Sequence, residues 1–547
     1  MNIVGPYSER NEIPASTPGK NGKIAVGKGE GANGENGDLS LNGVIYEVLE
    51  NYSVADGMVS VKILQNRSSS GLLYYLSEPV LNDDGRKILE ELRRSIFHIM
   101  KAPFAIPPPR EREEFLKEKI ESYVAKRGDS IDENAIKTME YLVIRDFLGY
   151  GIIDPLMRDR NIEDISCDGV GIPIYVYHRR YQNLRSNLQF KSRQELDNFI
   201  VYLAQKGNKQ VSISDPILDT STPEGNRVNA AIGNEVTVRG GAFTIRLFNE
   251  TPFTPVDLVT LGTASPELMA YVWLLIESGK NIMIIGGTGA GKTSTLNAIS
   301  LFIPPTSKIV SIEDTSEINI PHQNWIPAVT RSGVGEGRFM TGKSAGEIDM
   351  FDLVVSAMRQ RPDYMIVGEV RGKEAYNLFQ AMSMGQTTLT TMHAESVSSM
   401  LTRLENQPLN IPRTMITSMN CVIAQSQVRI GREMERRITD VSEIILLDPE
   451  SNELTVSSVF SWDSSKERIN FLGDSEILKG IMSTRNIGSD EMAEEMGRRS
   501  RLIRYLADRK ITGYRSIWEY ITKYYENPKE MLKEIDVRDG GEFNEGS

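Results

Sequence analysis

Cysteine is the scarcest residue in this chain. Only Cys167 and Cys421 occur among 547 residues, and they lie too far apart for the paired spacing of a zinc knuckle. Two thiols also provide no disulfide framework, so we expect a reducing compartment such as the cytoplasm.

Long hydrophobic runs are also missing. A membrane-spanning helix needs about 20 largely apolar residues, and the strongest candidate, residues 271–285, is interrupted by the polar segment 277–281. The amino-terminal residues have no apolar core typical of a secretory signal. We therefore expect a cytoplasmic protein that is peripheral at the inner face of the cell membrane and reaches it only through a partner.

The chain has no excess of positive charge. Its 62 Lys and Arg residues are outnumbered by 74 Asp and Glu residues, which gives a formal net charge of −12. An acidic balance argues against a surface that coats nucleic acid, although a local basic groove remains compatible with it. No nucleic acid is expected as a partner. The length itself predicts two to four domains.

Composition and periodicity divide the chain into five segments. Residues 1–40 are rich in Gly, Asn, Glu and Lys, which predicts a disordered tail. Residues 41–130 and 131–250 each mix strands with amphipathic helices, as in α+β domains. Residues 251–440 alternate strand and helix, which predicts a parallel sheet covered by helices. Residues 441–547 are predicted to form an appendage on the motor, with strands followed by helices.

The most informative motif is GGTGAGKT, which begins at Gly286 and matches the phosphate-binding loop G-x-x-x-x-G-K-[ST]. It follows an apolar strand and opens a helix, as that motif requires. Glycines allow backbone N–H groups to surround phosphates, Lys292 supplies a cation, and the Thr293 hydroxyl is suited to Mg²⁺. We therefore predict that ATP and Mg²⁺ are the cofactors. The candidate nucleotide contacts are Gly286, Gly287, Thr288, Gly289, Ala290, Gly291, Lys292, Thr293 and Ser294.

Three further strands are predicted to end in polar residues at the same edge of the sheet. Glu313 could activate a water in line with the γ-phosphate. The alternative interpretation is that Glu313 is an acid in a surface turn. Glu369 is predicted to hold Mg²⁺ or its water, with Gly368 where a Walker B strand usually has aspartate. His393 is interpreted as a γ-phosphate sensor or subunit contact, although a lone histidine is more often structural.

Two arginines precede the motor region. Arg227 and Arg246 are placed on or beside strands, just before a linker that contains Pro252 and Pro255. A hinge there could carry them over the nucleotide as arginine fingers. Arg239 is a weaker third candidate. The alternative is that these arginines make ordinary surface salt bridges.

Several motifs together resemble one family, the type II/type IV secretion ATPase superfamily. In order along the chain they are GGTGAGKTSTLNAI, IVSIEDTSEI, RQRPDYMIVGEVRG and GQTTLTTMHA. They resemble its Walker A, Asp box, Walker B and His box. The Gly368–Glu369 pair, in place of an aspartate, is typical of that family. The segment SLFIPPTSKIVSIEDTSEINIPHQNWIPAVTR is similar to the archaeal branch, which includes archaellum motors and archaeal pilus-assembly ATPases.

The resemblance implies an α/β fold in which a RecA-like P-loop ATPase motor domain follows an α+β, PAS-like amino-terminal domain. It further implies a homo-hexamer that hydrolyses ATP and works on a polytopic membrane platform protein. That work would assemble or rotate a filament of pilin-like subunits or archaellins. An archaellum motor, a pilus-assembly motor and a secretion motor remain open alternatives. A nucleic-acid translocase of RecA-like ring type and a nucleotide-binding regulator with slow turnover are alternatives from other classes.

Overall fold

The computed structural model describes most of the chain and divides it into two compact units, residues 1–248 and 249–547. The described residues are 38–41, 44–69, 71–101, 111–127, 131–234, 236–248, 252–331, 346–431, 433–448 and 450–541. The predicted disordered tail lies outside these residues except at its last positions. The predicted five-segment division of the chain stays a prediction.

The first unit is built on a ten-stranded, mainly antiparallel sheet with the order β1-β2-β3-β4-β7-β6-β5-β10-β9-β8. Its strands are β1 (Leu39–Leu41), β2 (Val44–Val54), β3 (Val59–Asn66), β4 (Leu72–Ser77), β5 (Ile162–Cys167), β6 (Pro173–His178), β7 (Gln182–Gln189), β8 (Ile217–Ser221), β9 (Arg227–Ala231) and β10 (Ala242–Arg246). Its helices are α1 (Asp83–Lys101), α2 (Arg112–Arg127), α3 (Glu133–Phe147), α4 (Asp154–Met157) and α5 (Arg193–Lys206), with a 3-10 helix at Gly151–Ile153.

The helices of the first unit pack in two places. The apolar faces of α1, α2 and α3 meet in a core of their own, which includes Leu92, Ile120 and Met139. The helix α5 covers the sheet, and its Phe199 packs against Phe243 of β10 with ring centroids 5.2 Å apart. The amphipathic stripes seen in the sequence are therefore core faces, as their 3.6-residue period predicts.

The second unit contains a nine-stranded sheet with the order β13-β12-β14-β15-β11-β16-β17-β18-β19. Its strands are β11 (Ile282–Gly286), β12 (Ile309–Glu313), β13 (Trp325–Val329), β14 (Tyr364–Val367), β15 (Thr387–His393), β16 (Cys421–Ile430), β17 (Glu433–Leu447), β18 (Leu454–Asp463) and β19 (Arg468–Phe471). Its helices are α6 (Pro255–Thr260), α7 (Pro266–Glu277), α8 (Lys292–Ser300), α9 (Met350–Arg359), α10 (Glu374–Ser383), α11 (Val397–Glu405), α12 (Arg413–Ile416), α13 (Glu476–Arg485), α14 (Ser489–Asp508), α15 (Tyr514–Glu526) and α16 (Pro528–Gly541).

The six strands from β13 to β16 in that order run parallel, and helices cover their buried apolar runs. The predicted α/β class, with a parallel sheet covered by helices in the motor region, is therefore confirmed. Beyond β16 the sheet continues antiparallel through β17, β18 and β19. The strand β17 crosses position 440, so the motor sheet and the strands that follow it form one continuous ladder.

The carboxyl-terminal helices share the core of the motor. The ring of Trp273 in α7 stacks on Phe302 with centroids 5.0 Å apart and also contacts Tyr524 of α15 at 4.9 Å. The hydroxyl of Tyr525 donates to the Phe302 carbonyl at 2.7 Å. Because Phe302 follows α8, these helices support the far end of the helix that begins at the phosphate loop. Within the described residues, no helix combines the length and the apolar character that a membrane crossing requires.

Candidate nucleotide site

The order of the central strands gathers the four sequence motifs at one edge of the sheet. Strands β12, β14, β15 and β11 are consecutive neighbours, and all run in the same direction. Ile312 pairs with Val367, and Gly286 pairs with His393. The residues that follow these strand ends therefore meet where ligands bind in open parallel sheets.

The phosphate loop depends on its glycines. Gly289 and Gly291 have φ angles of 73° and 92°, in the left-handed region that favours glycine. A side chain at Gly286 would place its Cβ only 2.2 Å from the carbonyl oxygen of Gln425. The helix α8 then begins at Lys292, so its amino-terminal N–H groups point toward the loop.

The side chain of Lys292 folds back over the loop. Its Nζ donates to the carbonyl oxygens of Gly286 and Gly287 at 3.1 and 2.9 Å. Burial lowers the pKa of Lys292 while the charge of Glu369 opposes this shift. The ammonium thus lies among carbonyl oxygens at the start of the loop, close to where the motif would hold phosphate groups.

Glu313 is buried at the end of β12, with only 3% of its surface exposed. Its Oε1 accepts hydrogen bonds from the backbone N–H groups of Glu317 and Ile318, both at 2.9 Å. Burial raises the pKa of Glu313 to about 7, although these two donors oppose the shift. A carboxyl group with this pKa can take up a proton near neutral pH, as a general base must.

Glu369 follows β14 and lies in a different environment. Its Oε2 accepts from Nη2 of Arg371 at 2.6 Å. Burial favours a higher pKa for Glu369, but the hydrogen bond and charge of Arg371, together with Lys292 and His393, outweigh burial and lower the pKa. The Glu369 carboxylate is therefore charged at neutral pH, as a metal ligand must be.

Gly368 lies between the two acids. A Cβ added there would come within 3.2 Å of Cγ of Glu313. The Gly368 N–H donates to the Ile312 carbonyl at 2.9 Å, and its own carbonyl accepts from the Thr391 hydroxyl at 2.7 Å. Glycine in place of the usual aspartate thus leaves room for the side chain of Glu313.

His393 ends β15 with an exposed side chain. Its carbonyl oxygen accepts from Nη1 of Arg403 at 2.7 Å. The imidazole is one of the groups whose charge acts on Glu369, which places it at the same edge as the loop. It lies near the predicted site rather than in the apolar core.

Oxygen donors suited to Mg²⁺ lie beside the loop. Thr293 stands in the first turn of α8, and Glu369 provides a charged carboxylate. In the part of the chain that the structure describes, no group of three or more His, Cys, Asp or Glu residues could hold a metal ion. A hydroxyl and a charged carboxylate are oxygen donors of the kind that Mg²⁺ takes beside nucleotide phosphates and water.

Arg227 and Arg246 lie in the first unit and face each other across the β9–β10 ladder. Both side chains are exposed. Nη2 of Arg227 lies 3.6 Å from Oδ2 of Asp219, and Nε of Arg246 lies 3.0 Å from Oδ1 of Asp164. The surface ion pairs of the alternative interpretation are thus present. Two like charges directly opposite each other also repel, which a purely structural sheet would avoid.

Sequence reasoning missed the side chains that surround the loop and the second acid. Arg371 was visible as the arginine two residues after Glu369. Gln425, Gln427 and Arg436 come from β16 and β17, which are more than 130 residues further along the chain than the loop. The polar residues 425–427 within AQSQVR marked the two glutamines in the sequence, but they did not indicate which element these side chains face, and no pattern singled out Arg436.

Known proteins match both the motor and part of the first unit. The family model described as type II/IV secretion system protein matches residues 155–468. An uncharacterized protein of Methanocaldococcus jannaschii is 35% identical over 72% of this chain and 70% of its own length. The type IV secretion system protein PtlH of Bordetella pertussis is 28% identical over 41% of this chain and 74% of its own. The X-ray structure of the Legionella pneumophila ATPase DotB is 18% identical, covers 63% of this chain and 84% of its own, and has a TM-score of 0.38.

Proposed function

The chain belongs to the type II/IV secretion ATPase family and hydrolyses ATP, and we propose that it is the hexameric motor of an archaellum or type IV pilus-like filament. In this proposal the motor is cytoplasmic, lies at the inner face of the membrane, and works on a polytopic membrane platform protein. The match to a Methanocaldococcus protein over most of the chain supports the archaeal branch.

One observation carries the proposal. A glycine loop with a lysine, a buried acid, a charged acid and a histidine follow four neighbouring parallel strands at one edge of the sheet. This arrangement can bind a triphosphate, position a water and place a base beside it, which is what ATP hydrolysis requires.

We assign a separate role to each residue at this edge. Backbone N–H groups of residues 286–294 and the ammonium of Lys292 bind the phosphates. Thr293 and Glu369 would hold Mg²⁺, which when bound neutralises phosphate charge. Glu313 takes the proton of the attacking water, because its pKa of about 7 suits a base at neutral pH. His393, exposed near Glu369, senses the γ-phosphate or contacts a neighbouring subunit.

Arg227 and Arg246 complete the site in our proposal. Their opposed positions on β9 and β10 give two guanidinium groups on one exposed face. A ring of subunits with a hinge near residue 250 would let these groups reach a nucleotide. Such arginine fingers contribute about 10³-fold or more to phosphoryl transfer.

The test combines phosphate release with light scattering over a range of protein concentrations. Wild-type turnover should rise as rings form, because the site is completed by assembly. Arg227→Ala and Arg246→Ala should lose most of that gain while their ADP affinity stays near the wild-type value. Arg193→Ala, which changes an exposed arginine at the start of α5 in the same unit, is the matched control.

Two outcomes would contradict this scheme. A monomer with full activity would remove the ring, and normal turnover in both arginine variants would remove the fingers. Addition of single-stranded DNA or of membranes that contain a platform protein distinguishes a nucleic-acid translocase from a filament motor. Stimulation by DNA but not by the platform protein would favour the translocase.

A further inference from the structure

The hairpin of β16 and β17 touches the phosphate loop through two side chains that converge on one atom. Nε2 of Gln427 donates to the carbonyl oxygen of Gly289 at 3.0 Å, and Nε of Arg436 donates to the same oxygen at 2.9 Å. Gln427 and Arg436 are register partners on the two strands. Their side chains therefore leave the hairpin on one face and act as a pair.

Holding this carbonyl sets the direction of the next N–H group. The peptide between Gly289 and Ala290 is planar and trans, so its C=O and N–H point in opposite directions. When the carbonyl is held against the hairpin, the Ala290 N–H points away from it and into the loop. The Ala290 N–H donates to the Gly287 carbonyl oxygen across the turn, with N and O 3.4 Å apart. This hydrogen bond is long and therefore weak, so a phosphate oxygen can replace the carbonyl as the acceptor.

Because residue 289 is a glycine, its backbone needs contacts from outside the loop to keep one conformation. Gly289 has a φ of 73°, and a residue without Cβ can leave that conformation at little steric cost. A peptide flip would turn the Ala290 N–H outward and place a carbonyl oxygen toward the phosphates. Two donors on the Gly289 oxygen oppose that flip, because each would have to give up its acceptor.

A second contact fixes the same hairpin to the helix that follows the loop. The hydroxyl of Thr295 in α8 donates to Oε1 of the buried Gln425 at 2.7 Å. The side-chain nitrogen of Gln425 lies 3.0 Å from the position of a Cβ on Gly291. The hairpin, the loop and α8 are thus joined on both sides of the loop, and β16 also pairs directly with β11.

We propose that Gln427 and Arg436 are positioning residues that hold the phosphate loop in its binding shape before the nucleotide arrives. This inference rests on the nucleotide-binding role proposed for the loop. Neither side chain needs to touch the nucleotide. They act through the Gly289–Ala290 peptide, whose N–H is preorganised for a phosphate oxygen.

The decisive variant is Gln427→Glu, which keeps the shape of the side chain but replaces the donor with acceptor oxygens. We expect it to weaken ADP binding about tenfold. This is the effect of losing one hydrogen bond to the Gly289 oxygen and placing a charged carboxylate beside that oxygen. Gln427→Ala should weaken binding less, because it removes the donor without adding a repulsive oxygen. Arg436→Ala should resemble Gln427→Glu, and Arg436→Lys should recover part of the affinity because it retains a donor.

The kinetic pattern separates positioning from a general structural defect. The preformed loop binds the ground state and the transition state alike, so KM should rise while kcat at saturating ATP stays near the wild-type value. Arg429→Ala is the matched control, because Arg429 is exposed two residues beyond Gln427 on the same strand. Its ADP affinity should be unchanged. Hydrogen exchange at Ala290 should be faster in Gln427→Glu than in the control.

Specific outcomes overturn the inference. If both Gln427→Glu and Arg436→Ala bind ADP with wild-type affinity, these two side chains do not position the phosphate loop. A fall in kcat with unchanged affinity would assign these residues a different role. If Lys292→Ala abolishes ADP binding while Gln427→Glu leaves it intact, only this inference fails. If Lys292→Ala binds ADP normally, the proposed phosphate site fails as well.

Discussion

The ends of β12 and β14 are neighbours in one sheet, yet they hold their acids in opposite states. Glu313 is buried, accepts hydrogen bonds from two backbone N–H groups, and has a pKa raised to about 7. Glu369 pairs with Arg371 at 2.6 Å and has a lowered pKa. Two carboxylates with diverging pKa values take on different chemical roles.

This difference teaches that position at the edge of the sheet does not by itself decide function. Both acids follow apolar parallel strands, and a sequence pattern treats them alike. The local dielectric and the nearest cation distinguish them. Glu313 is suited to accept a proton, whereas Glu369 is suited to remain charged beside a metal ion.

The strongest test of this comparison removes the base. Glu313→Gln should lower turnover by about 10²-fold or more, because only the activation of water is lost. ADP affinity should stay near the wild-type value, which isothermal titration measures beside phosphate release. Glu519→Gln, which changes an exposed acid on α15 of the same unit, is the control and should remain active. Normal hydrolysis by Glu313→Gln would show that the base has been assigned to the wrong residue.

The same variant should change stability in a pH-dependent way. A carboxyl group with a raised folded-state pKa binds its proton more tightly when folded. The contribution of Glu313 to the free energy of unfolding is therefore greatest below about pH 4.5 and is lost as the pH rises to about 7. Glu313→Gln avoids this loss. Its unfolding free energy should exceed the wild-type value at pH 8 by up to roughly 3 kcal/mol, and the difference should shrink toward zero near pH 4.5. Denaturant titrations at several pH values check this, and an equal difference at both ends would contradict the buried-charge explanation.

A third test adds a second acid at the end of β14, next to the acid at the end of β12. Gly368→Asp restores the residue of a generic Walker B strand, but it places a carboxylate against Glu313, whose Cγ lies 3.2 Å from the added Cβ. We expect turnover to fall about tenfold from displacement and charge repulsion together. Gly368→Ala adds only the Cβ and should cost less. Phosphate release by Gly368→Asp at or above the wild-type rate would contradict the steric explanation for this glycine.

The smallest expected effect comes from Arg371. Arg371→Ala removes the hydrogen bond and charge that lower the pKa of Glu369, so Glu369 should become protonated at a higher pH. Turnover should fall severalfold, and the loss should grow as the pH decreases. A pH profile of kcat/KM with varied Mg²⁺ measures this, and Arg371→Lys should restore much of the activity. A loss that is the same at every pH would indicate a role that does not act through Glu369.

Much of the motor was predictable because its signals are local. The glycines of the loop GGTGAGKT allow positive φ angles, and Gly289 and Gly291 do adopt left-handed φ angles. The loop's own residues thus determine its backbone and the start of the helix that follows it. The alternation of apolar strands and helices predicted a parallel sheet, and β11, β12, β14 and β15 follow it. The family resemblance rested on these same segments, and the family match confirmed it.

The rest depended on contacts between distant segments. Sequence order could not indicate that β14 lies between β12 and β15, or that Arg436 reaches Gly289 across a separation of 147 residues. Nor could it distinguish the pKa of Glu313 from that of Glu369, because burial and ion pairing arise only when the sheet forms. The sequence by itself determined which residues could perform the chemistry, since backbone requirements and hydrophobic periods act over short range. The tertiary structure decided the charge, the spacing and the support of those residues, since these properties depend on groups that only folding brings together.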